Sequence, residues 1–159
     1  MKSFVYGVAR WVVLLAAVIS LAAKFGGDTI SNADPAEVEA AVVAEIDMTN
    51  MIQGDNKMIK RFYGLDPAAF ESCTLYYPTT NMMAEELLIV KLADVSQQEM
   101  VCAAVEARIA TQKTTFEGYG VEQFDMLTNA SAVEIRGNYV LFVVNNAWAE
   151  ARKAFLGAL

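Results

Sequence analysis

The chain has 159 residues, with 12 Lys and Arg against 19 Asp and Glu, a formal net charge of −7 and no histidine. An acidic balance disfavours binding to nucleic acid and to anionic lipid headgroups. The lack of histidine removes the serine and cysteine triads that use imidazole as the base, together with most zinc sites. The composition therefore predicts no nucleic-acid partner, no metal and no cofactor.

An apolar leader opens the chain. Trp11 to Ala23 carries no charge, and extending the run back to Phe4 gives about 20 residues, enough to cross a bilayer. Lys2 and Arg10 lie on its amino-terminal side, and basic flanks tend to stay in the cytoplasm. We therefore expect a single transmembrane or signal helix, with the rest of the chain outside the cell.

The fate of this leader, which we place at residues 1–24, stays open. Ser20-Leu21-Ala22 would permit cleavage before Ala23, but we favour an uncleaved anchor over a cleaved signal. An acylated lipoprotein needs a cysteine just after the apolar run, and the first one is Cys73. The expected location is thus the cell membrane, or the exterior if the leader is removed.

Residues 25–159 hold 9 basic residues against 19 acidic ones, a net charge of −10, because Lys2, Arg10 and Lys24 fall in the leader. This charge suits a soluble domain outside the cell or a cationic partner. Gly26 and Gly27 mark residues 25–33 as a flexible tether. We expect one domain over residues 34–159.

Helix signals dominate the first part of this domain. Asp34-Pro35 has the pattern of an N-cap followed by proline, and the valine and isoleucine residues that follow are spaced by four. Asp66-Pro67 repeats the signal for a single turn. The predicted elements are helices over Ala36–Ile46 and Lys57–Tyr63, the second closed by Gly64, and a helical turn at Pro67–Phe70.

Strand signals form two pairs. Cys73–Tyr77 and Glu86–Leu92 are rich in β-branched, aromatic and aliphatic residues. Ala132–Arg136 and Tyr139–Val144 flank Gly137-Asn138, a two-residue hairpin signature. The sequence therefore predicts two β-hairpins.

A long helix separates the two hairpins. Ser96, followed by Glu99, has the pattern of a capping box that starts a helix running to about Gly118, and a last helix spans Ala147–Leu156. The sequence thus predicts an α+β fold, in which a four-stranded antiparallel sheet carries helices on one face.

The inward stripe of the long helix turns polar along its length. Arg108 and Gln112 follow the apolar positions at helical spacing, so the guanidinium lies at the core margin and needs a partner. Glu86 or Glu134, each on a predicted strand, could supply the carboxylate. Arg108 is then either a paired arginine tying helix to sheet, or a ligand-facing arginine that recognises a carboxylate or phosphate.

Aromatic residues near this stripe are further candidates for ligand or partner binding. Tyr77 ends a strand, and Phe116 and Tyr119 follow Gln112 on the helix, where they could line a cleft or simply pack. Cys73 and Cys102 remain open between one disulfide and two buried thiols. The candidate binding residues are Arg108, Gln112, Phe116, Tyr119, Tyr77 and Glu86, with no catalytic or metal-binding residue among them.

Several stretches resemble a known bacterial family. They are RFYGLDP at Arg61–Pro67, LYYPTTNMMAEELLIVKL at Leu75–Leu92, EARIATQKTTFEGYGVEQFDML at Glu106–Leu127 and RGNYVLFVV at Arg136–Val144. On the basis of these stretches, the chain resembles the bacterial family called domain of unknown function 4358. The resemblance extends from about residue 34 to the end. The resemblance implies an exported protein of Gram-positive gut-type bacteria, membrane-tethered or lipid-anchored, with no assigned activity or catalytic residues.

Three function classes remain open. The first is a noncatalytic module of the cell envelope that binds an envelope protein, a peptide or a small extracellular ligand, and we favour it because no catalytic constellation is evident. The second is an enzyme acting on envelope material with Glu86 and Glu134 near Arg108. The third is a structural subunit of a membrane complex.

Overall fold

The computed structural model describes residues 30–159, which form a five-stranded antiparallel sheet with helices on both faces. The strands lie in the order β1-β2-β3-β5-β4. Their bounds are β1 Met51–Gln53, β2 Ser72–Pro78, β3 Glu86–Lys91, β4 Ser131–Arg136 and β5 Tyr139–Val144. The expected leader lies outside the described residues, and within residues 30–159 no helix has the length and apolar character needed to span a bilayer.

Five α-helices surround the sheet in the described part of the chain. They are α1 Pro35–Val43, α2 Asn56–Tyr63, α3 Gln98–Phe116, α4 Val121–Asn129 and α5 Trp148–Ala158. Short 3₁₀ turns at Pro67–Ala69 and Val95–Gln97 connect them to strands. The mixed helix-and-sheet class and the antiparallel pairing are as the sequence predicts.

Both predicted hairpins are present. β2 pairs with β3 and β4 pairs with β5, and the two hairpins meet where β3 and β5 run side by side. Gly137, in the β4–β5 turn, has a φ of +52°, a conformation that residues with a side chain rarely adopt. Gly64 ends α2 with a φ of +67°, as its position after the helix predicts.

The prediction of four strands was wrong by one. β1 pairs with the end of β2, with Ile52 opposite Tyr77. A strand of three residues has no alternation to reveal it, so its conformation follows from the neighbour with which it pairs. The sequence also gave no indication of α4, which follows the turn at Gly118 and Gly120.

The prediction that helices cover one face was also wrong. One core cluster joins α2, α3 and α4 to the sheet through residues such as Val105 and Phe142, and the other joins α1 and α5 to it through residues such as Val42 and Phe155. Successive strand residues face opposite sides, so β3 and β5 are buried at every position. Their near-continuous apolar sequence is typical of strands covered on both faces.

The start of the long helix also differs from the prediction. Asp94 is the N-cap of the 3₁₀ turn Val95–Gln97 that leads into α3. Its side chain accepts from the Ser96 amide at 2.8 Å, and Gln97 completes the capping box by accepting from the Asp94 amide at 3.2 Å. The predicted box at Ser96 and Glu99 is therefore shifted by two residues. Aspartate precedes serine here and accepts the same bonds, so it begins the helical segment earlier.

Polar contacts fasten α1 to its face of the sheet. Glu39 accepts hydrogen bonds from the Thr74 hydroxyl at 3.0 Å and the Tyr76 hydroxyl at 2.7 Å. Burial and these contacts with Glu39 raise the pKa of Tyr76 to about 12. Before α1, the Ala33 carbonyl accepts from Lys91 at 3.2 Å and from Tyr139 at 2.8 Å. The entry to α1 is thus held against the two central strands.

The two cysteines are free thiols, so the disulfide alternative is not realised. Both are half-buried, and burial raises the pKa of Cys73 to about 12. At neutral pH the Cys73 thiol is therefore protonated, which is the inert state of a packed cysteine.

Phe155→Ala tests whether α5 covers the second face. Phe155 is fully buried and its ring lies 6.3 Å from that of Tyr139, so truncation should lower the free energy of unfolding by about 3–5 kcal/mol. Chemical denaturation measures the change. Phe124→Ala, at a 38 % exposed ring on α4, is the matched control and should cost clearly less. Equal effects would contradict burial of α5.

Candidate binding site

A buried carboxylate lies at the centre of the candidate site. Glu86, the first residue of β3, has no exposed surface. Its Oε1 accepts from the Tyr63 hydroxyl and from Arg108 Nε, the latter at 3.0 Å. Its Oε2 accepts from Arg108 Nη2 at 2.7 Å and from Gln112 Nε2 at 2.9 Å. Both oxygens are therefore satisfied, as a buried charge requires.

Three elements supply the partners of this carboxylate. Arg108 and Gln112 are four residues apart on α3, so one helix face presents both to the sheet. Tyr63 is the last residue of α2 and lies one turn beyond the buried Ile59, on the same inward face. The network thus joins α2, α3 and β3 at one point.

The electrostatics of the network favour one charge distribution. Burial raises the pKa of Tyr63 well above its usual value, and the charge of Glu86 raises it further. Burial by itself lowers the pKa of Arg108, but the hydrogen bonds and charge of Glu86 outweigh it and raise that pKa. Tyr63 is therefore a neutral donor and Arg108 a cation, matched in charge by the Glu86 carboxylate.

An open cavity of about 340 Å³ lies against this network. Arg108 and Gln112 form part of its wall, and Thr79 to Asn81, from the β2–β3 loop, lie at its exposed side. The volume falls in the range of small-ligand sites, roughly 300–1,000 Å³. The remaining lining residues are Met58, Arg61, Phe62, Tyr77, Pro78, Met83, Thr115 and Phe116.

Aromatic rings hold the guanidinium in place. The Phe62 ring centroid is 4.1 Å from Arg108 Cζ, a cation–π distance, and the Tyr77 ring meets Phe62 edge-on at 5.4 Å. The Arg108 side chain is consequently only 15 % exposed although it borders a cavity.

One polar atom of the site has no partner. Gln112 is 5 % exposed, and its Oε1 is buried without a hydrogen bond from any described residue. The Nε2 of the same amide donates to Glu86, which fixes which end of the amide is the acceptor. An unpaired acceptor beside a cavity is costly, by about 1–3 kcal/mol, unless a donor reaches it.

Five of the six candidate residues come together here. Glu86, Arg108 and Gln112 form the network, and Tyr77 and Phe116 line the cavity. The sixth, Tyr119, is 60 % exposed and lies in an adjoining groove that shares the Phe116 wall. Among the two partners considered for Arg108, the structure selects Glu86.

Glu134 belongs to a different part of the molecule. It accepts from Arg152 of α5 at 2.6 Å and from Arg136 at 3.0 Å, and its neighbour in the sheet is Leu141, a residue of the second core cluster. Glu86 lies opposite Val144 of the first cluster. The expectation that these two carboxylates flank Arg108 was wrong, because they lie on opposite faces of the sheet.

Sequence reasoning missed Tyr63, Phe62 and the Thr79–Asn81 loop as parts of the site. The signal for Tyr63 is its place one turn after an apolar helix position, because a tyrosine directed into a core needs a hydroxyl partner. The loop carries no such signal, since its position depends on how β2 and β3 pair.

Arg108→Ala should lower the free energy of unfolding by about 3–5 kcal/mol, because it leaves the Glu86 carboxylate buried without its cation. Urea denaturation measures the loss. Adding Glu86→Gln should recover part of it, since an amide needs no counter-charge. Arg61→Ala, at an exposed arginine of the same cavity, is the control and should change stability by less than about 0.5 kcal/mol. An Arg108→Ala variant as stable as Arg61→Ala would contradict the structural role of the Arg108–Glu86 pair.

Tyr63→Phe should cost about 1.5–3 kcal/mol at neutral pH, the usual value of a hydrogen bond to a charged group. In the folded state the pKa of Tyr63 lies well above 10. The Tyr63–Glu86 hydrogen bond therefore contributes fully to the free energy of unfolding below pH 10, and this contribution is lost as the pH rises through the folded pKa. The variant lacks this contribution, so its stability should fall less steeply than that of the native chain above pH 10. Tyr119→Phe, at an exposed ring, should leave the native pH profile unchanged.

Comparison with known proteins places these residues in a family. The family model described as Domain of unknown function (DUF4358) matches residues 44–145, which include α2, α3 and the strands that carry the site. The matched segment excludes α1 and α5, so it is narrower than the resemblance read from the sequence. No curated protein and no solved structure matches the chain. More than half of the chain matches the family model, and the chain therefore belongs to the DUF4358 family.

Proposed function

We propose that the protein is a noncatalytic binding module of the bacterial cell envelope, tethered to the membrane by its amino-terminal leader, which takes its ligand or partner in the cavity between α2, α3 and the β2–β3 loop. The observation that carries this proposal is the 340 Å³ cavity lined by Arg108 and Gln112, the latter with a buried Oε1 that has no hydrogen-bond partner among the described residues. The buried polar atoms of a structural network usually have hydrogen-bond partners, so an unpartnered acceptor beside a cavity favours a ligand.

The composition of the cavity supports binding over chemistry. Glu86 has both oxygens occupied, and its Arg108 cation is held by the same two oxygens and the Phe62 ring. Neither group is positioned to accept or release a proton during a reaction. The carboxylate pair required by the enzyme hypothesis is divided between the two sheet faces.

The sequence supports the location. The run from Phe4 to Ala23, apolar except for Arg10 and preceded by Lys2, has the length and charge asymmetry of an anchor whose carboxyl side faces outward. The strongly acidic remainder fits a domain that stays soluble beside an anionic membrane surface.

Cysteine labelling in intact cells tests location and binding together. In a background with Cys73→Ala and Cys102→Ala, single cysteines are introduced as Asn81→Cys at the cavity and as Glu150→Cys on α5, both exposed positions. A membrane-impermeant maleimide should label Glu150→Cys in intact host cells. Labelling of Asn81→Cys should be slower in cells than in the purified protein, whereas Glu150→Cys should show no such protection.

The labelling of Glu150→Cys tests the location, and the labelling of Asn81→Cys tests the occupancy of the cavity. Labelling of Glu150→Cys only after cell lysis would overturn the envelope location. Equal labelling rates of Asn81→Cys in cells and in the purified protein would overturn occupancy of the cavity. Protection of both positions would indicate a subunit covered on two faces, which is the structural alternative.

A further inference from the structure

The positive charge of Arg108, in the inner wall of the cavity, is already neutralised by Glu86. Arg108 gives its Nε and Nη2 groups to Glu86, so the edge that would clamp a carboxylate or phosphate bidentately is occupied. Arg61, the other cation of the lining, is exposed and hydrated at the mouth. An anionic ligand would therefore meet Arg61 as the one remaining cation among the described lining residues, and an ion pair at such an exposed position contributes little.

The unpartnered acceptor at the cavity requires a hydrogen-bond donor from the ligand. Gln112 Oε1 is an acceptor only, and an ionised carboxylate or phosphate has no proton to give it. The Nη1 group of Arg108, which Glu86 does not use, offers donors on the same wall. The Oε1 atom is buried in the structure, so the soft terminal torsion of the glutamine amide must turn it toward the cavity, and a ligand group with one N–H and one C=O then satisfies both.

The rest of the cavity wall accepts an uncharged apolar group. Phe62, Phe116, Met58 and Met83 line the cavity, and methionine side chains adapt to different apolar shapes. An aliphatic or aromatic side chain can fill this space, while charged groups would lose their hydration there.

The apolar surface continues beyond the mouth of the cavity. Phe116 also forms part of an adjoining groove of about 360 Å³. Along this groove Met82 is 61 % exposed, Tyr119 60 % and Val121 76 %. A ligand confined to the cavity would leave these side chains in water, whereas a chain that leaves the cavity past Phe116 would cover them.

From these observations we infer that the ligand is an extended peptide segment, which inserts one uncharged apolar side chain into the cavity, directs a backbone amide to Gln112 and Arg108, and lays its next residues across Met82, Tyr119 and Val121. A peptide group supplies the required donor and acceptor together. This inference rests on the proposed function and names the class of partner for the same cavity.

NMR titration of the full-length ¹⁵N-labelled protein in zwitterionic nanodiscs tests the inference. The probes are acetyl-Ala-Leu-Ala-amide, the single-residue acetyl-leucinamide, acetyl-leucine with its free carboxylate, and inorganic phosphate. The tripeptide should shift the Gln112 side-chain and Thr115 amide signals, and it should bind about 10-fold or more tightly than acetyl-leucine or phosphate. It should also shift Val121, which the single-residue probe should not reach.

Two tryptophan substitutions on α3 provide the matched control. Thr115 and Thr114 are both exposed, but only Thr115 lines the cavity. Thr115→Trp should abolish the shifts by filling the mouth, whereas Thr114→Trp should keep the affinity of the native chain. Neither change touches the Glu86 network, so both variants should retain the native spectrum elsewhere.

The remaining outcomes decide against the inference in distinct ways. Tighter binding of acetyl-leucine or phosphate at Gln112 would overturn the peptide assignment and leave the proposed binding module intact. Equal affinity for acetyl-leucinamide and the tripeptide would reduce the site to a small-ligand pocket. Chemical shift changes that persist in the Thr115→Trp variant would also overturn the peptide inference. The same holds if no probe causes shifts although Asn81→Cys is protected in cells.

Discussion

The architecture of the α2–α3 face depends on one buried carboxylate. Glu86 occupies the start of a central strand whose next four residues are apolar, and it has no exposed surface. A charge in that place is tolerated only when it is fully hydrogen-bonded and paired. Tyr63 and Arg108 meet this requirement, with Gln112 as the third donor, and in doing so they fix how α2 and α3 sit on the sheet.

The same constraint creates the cavity. Arg108 and Gln112 must reach down to Glu86, so the surface of α3 beside them is lined by their side chains and by Thr115 instead of by close-packed apolar groups. On the opposite face, Glu39 of α1 is bonded to Thr74 and Tyr76 at the half-buried flank of β2, and the Ala33 carbonyl is bonded to Lys91 and Tyr139. The two faces of the sheet thus differ in how their helices are held. Partly exposed polar contacts hold α1, whereas a fully buried carboxylate holds α2 and α3.

The peptide recognition that we propose follows from the pairing of Arg108 with Glu86. The acidic partner that Arg108 needs for folding is internal, so specificity is left to the neutral hydrogen-bonding atoms and to the apolar walls. A module of this kind would tolerate many sequences around one apolar anchor, because backbone amides are common to all of them. Its acidic surface would favour segments with basic flanks and speed their arrival.

Local sequence determined the two hairpins, the ends of α2 and α3 and the polar stripe of α3, because caps, turn glycines and residue spacing act within a few positions of the chain. It also narrowed the partner of Arg108 to two carboxylates. Only the tertiary structure decided between Glu86 and Glu134, since a strand residue's face depends on register and on what covers that face. The apolar runs of β3 and β5 indicate strands covered on both faces, but the presence of β1 and the choice of the helices that cover each face were decided by pairing and burial between distant segments.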